Sequence, residues 1–564
     1  MNFLKIKIKF ILQILIVITY FSTPNAKSMD NFDKGNQISN YFSGTILLND
    51  NYYKDSYNYF KKLNGLEKIH NTYSVKYLFS LVNLGKISEA FHYSKKLEKE
   101  NLANFESNLI IGIYHLKNQK NDLAQNYFSK LYNLNSNFVI KNFISKSLVN
   151  WSSFKNLDFN NAQQKIQEID SKFDNLKKIQ NVFLHCYYQS KKTEYFFERL
   201  TINKDIDFSR YNYFYANYLF QQKKHVEVKK IIAQSLKLYP RNLLLNQFQY
   251  NLDNKIHRNN FDCRDLSHVV AEILYIAANA LSSQNIYNFS NFYLNLSKYL
   301  NPDFHSFDTL FAENFYKEDN YHEAKKIYEK ISKRGKIYSW YSAKQIAKIL
   351  IQQDEENNAL DILSSAYKKI NDKTIYQKYD YAKFLKSAEK YDDSIKLYSE
   401  IIQDIKEDHP LYPKVTDGRG VSYERIGNWV EAEKDLLASL KSNPEQAYVI
   451  NYLAYSWIEK GLKIKQSLKM LEKANSLSSN DPYIIDSLGW ALFKLERYKD
   501  SKNYLQTAVQ LLPADPIIND HFADALWKNG NKIQARYYWN YVLNLKETEK
   551  DLKEKVELKL ISGI

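Results

Sequence analysis

The sequence predicts an all-α solenoid in which helix–turn–helix units stack into a superhelix with a concave groove. Two ladders of mostly small residues predict it, because they recur along the chain at steps that are mostly 34 or 35 residues. Helix breakers are rare, with 13 glycines and 9 prolines among 564 residues, which favours long helices over a many-stranded sandwich or barrel. Hydrophobic residues make up 44% of the chain and aromatic residues 15%, enough for a large core.

Each ladder marks one helix of the repeating unit. The first ladder, on the second helix, consists of Ser56, Ala90, Ala124, Val228, Ser290, Ala324, Ala359, Ser394, Ala432, Ser467, Ser501 and Ala535. The second ladder lies twelve residues earlier in nearly every unit. Its members are Gly44, Leu78, Gly112, Ala216, Ala278, Ala312, Ala347, Ala382, Gly420, Ala454, Gly489 and Ala523. Apolar residues around both ladders recur at i, i+3 and i+4, which predicts amphipathic helices. We expect bulky residues four positions after the first ladder to fill the space between neighbouring units.

The segment "SLGWALFKLERYKDSKNYLQTAVQLLP" shows the repeat most clearly. It resembles the tetratricopeptide repeat (TPR) family, a helix–turn–helix repeat of 34 residues. Leu488, Gly489, Ala508 and Pro513 stand at the family positions, with Ser501 where alanine is usual. The resemblance covers most of residues 37–545. It implies a stack of helix pairs whose first helices line a groove.

The first 28 residues have the order of a secretory signal peptide. Three lysines precede an apolar stretch over 10–21, and cleavage after Ala26 or Ser28 fits the small residues that follow. We therefore expect a periplasmic protein, membrane-associated if the signal stays uncleaved. The rest of the chain is predicted to comprise an N-terminal array at 29–240, a linker or broken repeat at 241–265, a C-terminal array at 266–545, and a charged capping helix and tail at 546–564. The N-terminal array has room for two eroded units, around Ala162 and Phe196.

The chain has two cysteines, Cys186 and Cys263, separated by 77 positions. Packed helices lie about 8–10 Å apart, so residues two units apart along a stack exceed the Cα distance that a disulfide allows. We therefore expect two buried free thiols, unless a loop folds back.

Charge and motifs give no sign of an enzyme. The net charge of +16 comes from lysines spread along the chain rather than gathered in a block, so we expect no nucleic-acid partner. Leu84-Gly85-Lys86 lacks the glycine and hydroxyl of a phosphate-binding loop, and His322-Glu323 lacks the second histidine of a zinc-protease helix. The sequence predicts no catalytic residue, no metal site and no cofactor. Membrane contact is expected only through an uncleaved signal sequence.

The resemblance implies that the groove is lined three positions before, one after and four after the second-ladder residue. In the last units, these positions predict a partner-binding groove formed by Asn451, Tyr455, Asp486, Trp490, Asp520, Asp524 and Trp527. Carboxylates beside aromatic rings would suit an extended peptide or a basic protein surface. The alternative is that Trp490 and Trp527 only cover the core of the adjacent unit. We expect Asp486→Lys with Trp490→Ala to abolish partner capture without loss of helicity.

The segments "YVINYLAYSWIEKG" and "IIDSLGWALFKLERYKDS" resemble the C-terminal half of exported bacterial TPR proteins. That group includes lipoprotein adaptors of periplasmic proteases, which implies a non-catalytic scaffold that binds other proteins and brings a protease and its substrates together. No cysteine directly follows the apolar stretch of the signal segment, so we expect no lipid attachment of that type. The alternative is an assembly factor for envelope polysaccharide or outer-membrane machinery. A nucleic-acid or cytoplasmic binder would rest on the net charge alone.

Overall fold

A computed structural model of the chain describes residues 31–132, 139–201, 208–256 and 260–564. The predicted signal peptide at 1–28, with its cleavage sites, lies outside the described residues. Within the described part of the chain, every regular element is helical, with thirty α-helices and three short 3₁₀-helices. The predicted all-α solenoid is confirmed.

The chain forms two compact units, which divide after Ile349. The helices up to this division are α1 Asn31–Asn49, α2 Tyr53–Lys61, α3 Asn71–Asn83, α4 Ile87–Lys99, α5 Phe105–Lys117, α6 Asn121–Tyr132, α7 Val139–Ser153, α8 Phe159–Gln167, α9 Asp174–Tyr187, α10 Thr193–Thr201, α11 Ser209–Gln221, α12 His225–Leu238, α13 Leu243–Asp253, α14 Leu266–Ser283, α15 Tyr287–Leu300, α16 Ser306–Lys317, α17 Tyr321–Ser332 and α18 Lys336–Gln352. The 3₁₀-helices are Leu66–Lys68, Phe154–Asn156 and Ser171–Phe173.

The second unit continues the pairing of helices. Its helices are α19 Glu356–Lys368, α20 Ile375–Ser387, α21 Tyr391–Asp404, α22 Tyr412–Arg425, α23 Trp429–Ser442, α24 Ala447–Glu459, α25 Ile464–Leu477, α26 Pro482–Lys494, α27 Tyr498–Leu511, α28 Pro516–Lys528, α29 Lys532–Asn544 and α30 Lys550–Ser562. Within each unit, most consecutive helices pack against one another.

The two ladders lie inside the hairpins, and all of their members are buried. A Cβ atom at Gly112 would approach the Phe128 ring to 2.3 Å, and one at Gly489 would approach the Leu505 side chain to 2.6 Å. Where the second ladder has glycine, the bulky residue sixteen positions later packs against that glycine of its own hairpin. These residues also contact the following unit, as expected: the Phe60 ring lies 6.0 Å from Tyr73, and Leu505 shares a core cluster with Ile518 and Phe522. Glycine lets the second helix insert a large side chain against its own partner helix.

In the first unit, the hairpin α14–α15 packs across α3, α5 and α7, the first helices of three earlier repeats. The rings of Phe79 and Phe292 stack 4.3 Å apart, and the Lys117 ammonium donates a hydrogen bond to the Leu300 carbonyl oxygen at 2.9 Å. Residues 105–113 of α5 are buried on every side, as in a helix covered all round. The chain itself therefore covers the first-helix side of these repeats.

Helix α14 is the one described helix that is long and apolar enough to cross a membrane by length and composition. It has a mean hydropathy of 1.2, and 67% of its residues are buried inside the fold. Its fully buried Glu272 pairs with Arg210 of α11. These contacts are those of a core helix in the first unit.

Cys186 and Cys263 form a disulfide with their Cα atoms 5.9 Å apart, so the prediction of two free thiols is wrong. The segment before α14 folds back over α9 and α11. The Asn217 side chain donates to the Phe261 carbonyl oxygen at 2.7 Å, and the Phe261 ring packs on Phe214 at 4.4 Å. Cys263 lies outside the repeating helices, so the distance between helices of a regular stack does not set its distance from Cys186.

The irregular steps of the ladders contain additional helices. Two hairpins, α7–α8 and α9–α10, occupy the step in which eroded units are expected around Ala162 and Phe196. Helix α13 lies within the predicted linker or broken repeat at 241–265 and packs against α11 and α12.

His185 of α9 makes the stability of the first unit pH-dependent. Its side chain is 2% exposed and stacks on Phe196, and neither ring nitrogen has a hydrogen-bond partner within the described residues. Burial lowers the pKa of His185 to about 4. Because the unfolded chain holds this proton more tightly, His185 destabilises the fold as pH falls from about 6.5 to 4, by up to about 1.4 kcal/mol per pH unit.

We expect His185→Phe to remove this contribution, so that the free energy of unfolding changes less between pH 4 and 6.5 than in the wild type. Urea unfolding at a series of pH values measures it. His322→Phe is the matched control, because the His322 side chain is 87% exposed. An unchanged pH profile in His185→Phe would contradict the prediction.

Candidate functional site

A cavity of about 730 Å³ opens in the second unit between the first helices α24, α26 and α28 and the last helix α30. Its volume is typical of sites that hold a ligand or a peptide segment. Its apolar lining consists of Tyr455, Trp490, Phe493, Pro516, Ile517, Leu552 and Ile564. Its carboxylates are Glu459, Asp515, Asp520, Asp524, Glu547, Glu549 and Asp551, and its remaining lining includes four lysines and His521.

The caps of α26 and α28 align the helices that line the cavity. Asp481 accepts hydrogen bonds from the backbone N–H groups of residues 483 and 484, and Asp515 accepts the equivalent bonds two and three residues on, at 2.9 and 3.0 Å. Pro482 and Pro516 follow as the first helical residues, where a missing N–H costs nothing. Both helices therefore begin at the same point of the repeat, and residues 34 positions apart line up.

Trp490 forms a rigid aromatic wall. Its ring stacks on His521 with centroids 4.0 Å apart and on Phe493 at 4.7 Å. Its indole N–H donates to Glu459 at 2.6 Å, and the Lys494 ammonium lies 4.6 Å from the ring centre. The side chain is 7% exposed, so it offers the edge of a fixed surface rather than a mobile ring.

Asp486 lies behind this wall and is also buried. Both of its carboxylate oxygens lie 3.0 Å from Nδ1 of His521. Burial alone would lower the pKa of His521, but the Asp486 carboxylate, with Asp520 and Asp524 nearby, raises it above its ordinary value. Asp486→Lys would bury an ammonium group and remove the carboxylate partner of His521. It is therefore expected to disturb packing, so loss of partner capture in this double variant would not by itself identify a contact residue.

Asp520 and Asp524 lie one turn apart on α28 and share the ammonium of Lys559 from α30. All four carboxylate oxygens lie 2.7–2.9 Å from Nζ. The indole N–H of Trp539 also donates to Asp524 at 3.0 Å. Burial, together with the charge of Asp520, raises the pKa of Asp524 to about 6.

The structure brings four of the predicted groove residues to the cavity lining: Tyr455, Trp490, Asp520 and Asp524. Asn451 is not among the lining residues, and its side-chain oxygen is buried with no hydrogen-bond partner within the described residues.

Trp527 is not a lining residue either. It packs against Trp539 at 5.3 Å and against Gly563, where an added Cβ would meet the ring at 2.1 Å. These contacts belong to the core of the last hairpin and α30, as the alternative explanation for Trp527 describes.

Sequence reasoning missed an exposed apolar row whose last member, Ile517, lines the cavity. Tyr448, Tyr483 and Ile517 are 58%, 55% and 50% exposed. Each is the second residue of its helix and lies six positions before the second ladder. The signal was present in the sequence, since large apolar residues recur where the solvent-facing start of a helix is usually polar. His521 and Lys559 were also missed, because neither stands at a lining position of the repeat.

Among the residues that the structure describes, no three His, Cys, Asp or Glu side chains come together as a metal ion would require. Paired helices with buried ladders and an open first-helix surface define the class of helical-repeat proteins. Residues 310–548 match the sequence model of a family described as tetratricopeptide repeat. These residues, less than half of the chain, are therefore similar to the tetratricopeptide repeat family, as the resemblance implied.

A curated relative is TPR repeat-containing protein PA4667 of Pseudomonas aeruginosa, 28% identical over 95 residues, which are 17% of this chain. The match spans only 16% of that relative's length. Similar solved structures include TTC0263, a thermophilic TPR protein of Thermus thermophilus. It is 15% identical, the match covers 33% of this chain and all of that chain, and the TM-score is 0.29. YrrB, a TPR protein with an unusual peptide-binding site, is 14% identical. The match covers 33% of this chain and 92% of that chain, with a TM-score of 0.27.

Proposed function

We propose that the protein is an exported, non-catalytic scaffold that binds other proteins or extended peptides through the cavity and the apolar row of its second unit. The cavity supports this proposal most directly, because aromatic walls and unequal charge suit peptide recognition. Its lining contains no serine, threonine or cysteine, and its histidine is bonded to a buried carboxylate. This chemistry suits binding better than catalysis.

The first unit supports the same choice of surface. There the hairpin α14–α15 covers the first helices of the early repeats, so that side is occupied by the chain itself. In the second unit, the row Tyr448, Tyr483 and Ile517 stays exposed, and Ile517 lines the open cavity. A partner would therefore find exposed apolar area continuous with the cavity at Ile517.

We expect Tyr483→Ser with Ile517→Ser to weaken capture of the main partner at least tenfold, since two exposed contact residues together contribute more than about 1.4 kcal/mol. The measurement is affinity capture by the full protein, followed by mass spectrometry and titration of the main partner.

Val430→Ser with Ile533→Ser is the matched control. These residues are 74% and 88% exposed and are second residues of the second helices α23 and α29, away from the cavity. Equal loss in both double variants would overturn the assignment of the surface. Recovery of a protease with its substrates would support the adaptor role, and recovery of polysaccharide or outer-membrane assembly proteins would replace it.

Export is part of the same proposal. The disulfide between Cys186 and Cys263 supports it, because such bonds persist in oxidising compartments such as the periplasm. Mass spectrometry of protein purified from the cell envelope tests it. We expect a mass that lacks the first 26 or 28 residues and contains one disulfide, and a full-length mass with two free thiols would contradict export.

A further inference from the structure

We propose that the cavity binds the ammonium group of a partner's lysine between Asp520 and Asp524, and that Lys559 of α30 occupies this seat when no partner is bound. This inference rests on the proposed function, because it names the group that the cavity recognises and the segment that competes for it. The ligand class is a peptide or protein surface that presents lysine beside an apolar side chain.

The seat already holds an ammonium group. Asp520 and Asp524 are 6% and 4% exposed, and all their oxygens lie within hydrogen-bond distance of the Lys559 Nζ atom. Trp539 fixes the orientation of Asp524 through its indole N–H. An ammonium has three N–H donors for these four carboxylate oxygens. The geometry is therefore specific for a compact cation and does not depend on the rest of α30.

The charge around the seat favours a cation from outside. Seven carboxylates line the cavity against only three lysines other than Lys559. Displacing Lys559 would leave this excess of negative charge uncompensated, so an incoming cationic peptide would be attracted and an acidic one repelled. The ring pair of Trp490 and His521, with Ile517 at the rim, supplies apolar area for the neighbouring side chain of the ligand.

Helix α30 buries little of its surface, although Leu552 and Leu560 pack against the core cluster of the last hairpins. Of its thirteen residues only Val556 is buried, whereas α28 buries ten of its residues. Leu558 and Ile561 are 65% and 80% exposed. Segments with few buried contacts open at low free energy. Lys559 is the main polar contact of this helix with the cavity, and a partner's lysine would replace it one for one.

The first experiment measures binding of a labelled, end-blocked hexapeptide of alternating lysine and phenylalanine to the full protein at physiological salt. We expect Lys559→Met to bind it at least ten times more tightly than the wild type, since the internal competitor is gone. Lys550→Met is the matched control, because it removes the same charge from an 87% exposed position of the same helix. Adding Asp520→Asn to Lys559→Met should reverse the gain, and a peptide with glutamate in place of lysine should not bind.

A second measurement uses the wild type and does not depend on whether any variant folds. Saturating lysine peptide should accelerate hydrogen exchange of the amides at 550–562, because α30 leaves its place. The proposed seat for the partner's lysine would be refuted by unchanged hydrogen exchange at 550–562 with bound peptide. It would also be refuted by equal peptide affinity in the wild type and Lys559→Met. If Tyr483→Ser with Ile517→Ser still weakens partner capture in that case, the proposed function stands and only this inference fails. If that capture is also unchanged, both fail.

Discussion

Arg210→Met is expected to lower the free energy of unfolding of the first unit by about 3–5 kcal/mol, because it leaves a buried carboxylate without its partner. The guanidinium of Arg210 donates two hydrogen bonds to Glu272, at 2.7 and 2.8 Å, and a third to Ser306 at 2.6 Å. It also lies 3.8 Å from the ring centre of Tyr275. Urea unfolding with hydrogen exchange of α11 and α14 as the local reporter measures the loss.

Burial already raises the pKa of Glu272 above its ordinary value, and Arg210 opposes that rise. Without Arg210 the folded state would hold a proton on Glu272 well above the pH at which the unfolded chain releases it. The loss of stability should therefore be smaller near pH 4 and larger near pH 7. A pH-independent loss would mean that packing, and not the charge, causes it.

The double variant Arg210→Met with Glu272→Met should recover most of the loss, since an apolar pair of similar size can replace a buried ion pair. Lys86→Met is the control for Arg210→Met, because it removes the cation of an exposed ion pair instead of a buried one. Its partner oxygen on Glu89 lies 2.6 Å away, yet both side chains are more than one-third exposed, so we expect a far smaller change than for Arg210→Met. Equal effects in the buried and exposed pairs would refute this account.

Trp539→Ala is expected to cost the second unit about 3–5 kcal/mol, which is typical of emptying a buried tryptophan site. Trp539 is fully buried in the cluster formed by α26 to α30, and its ring packs on Trp527. The change also removes the N–H donor of Asp524, so the seat for Lys559 should loosen. Thermal and urea unfolding of the full protein measure the loss.

Tyr537→Ala is the control for Trp539→Ala, because it lies on the same helix with 67% of its side chain exposed. We expect it to change the free energy of unfolding by less than about 0.5 kcal/mol. A small effect of Trp539→Ala would mean that the last hairpin and α30 do not unfold together with the rest of the second unit.

The adaptor proposal depends on which surfaces stay free, and the two units differ in this respect. The first-helix side of α3, α5 and α7 is covered by α14–α15, while Tyr483 and Ile517 remain exposed in the second unit. A repeat array can thus offer only part of its length to a partner, because a hairpin of the same chain fills the remaining surface.

The sequence by itself determined the helices and their pairing. Contacts such as Gly112 with Phe128 and Gly489 with Leu505 lie within one hairpin and recur every 34 or 35 residues, so periodicity reveals them. The lining positions that the family resemblance implies predicted Tyr455 and Trp490 as groove residues, and both line the cavity. The repeat pattern could not distinguish Trp527 from Phe493. Both stand four positions after the second ladder, but Trp527 packs against Trp539 and Gly563.

Only the tertiary structure decided which groups meet across long stretches of chain. Cys186 and Cys263 are 77 positions apart, and Lys559 lies 39 positions from Asp520. These contacts depend on segments that leave the repeating pattern and fold back over it, so no period in the sequence records them. The physical reason is that a repeat specifies its nearest neighbours, whereas the covering of a surface depends on where irregular segments find apolar area and opposite charge.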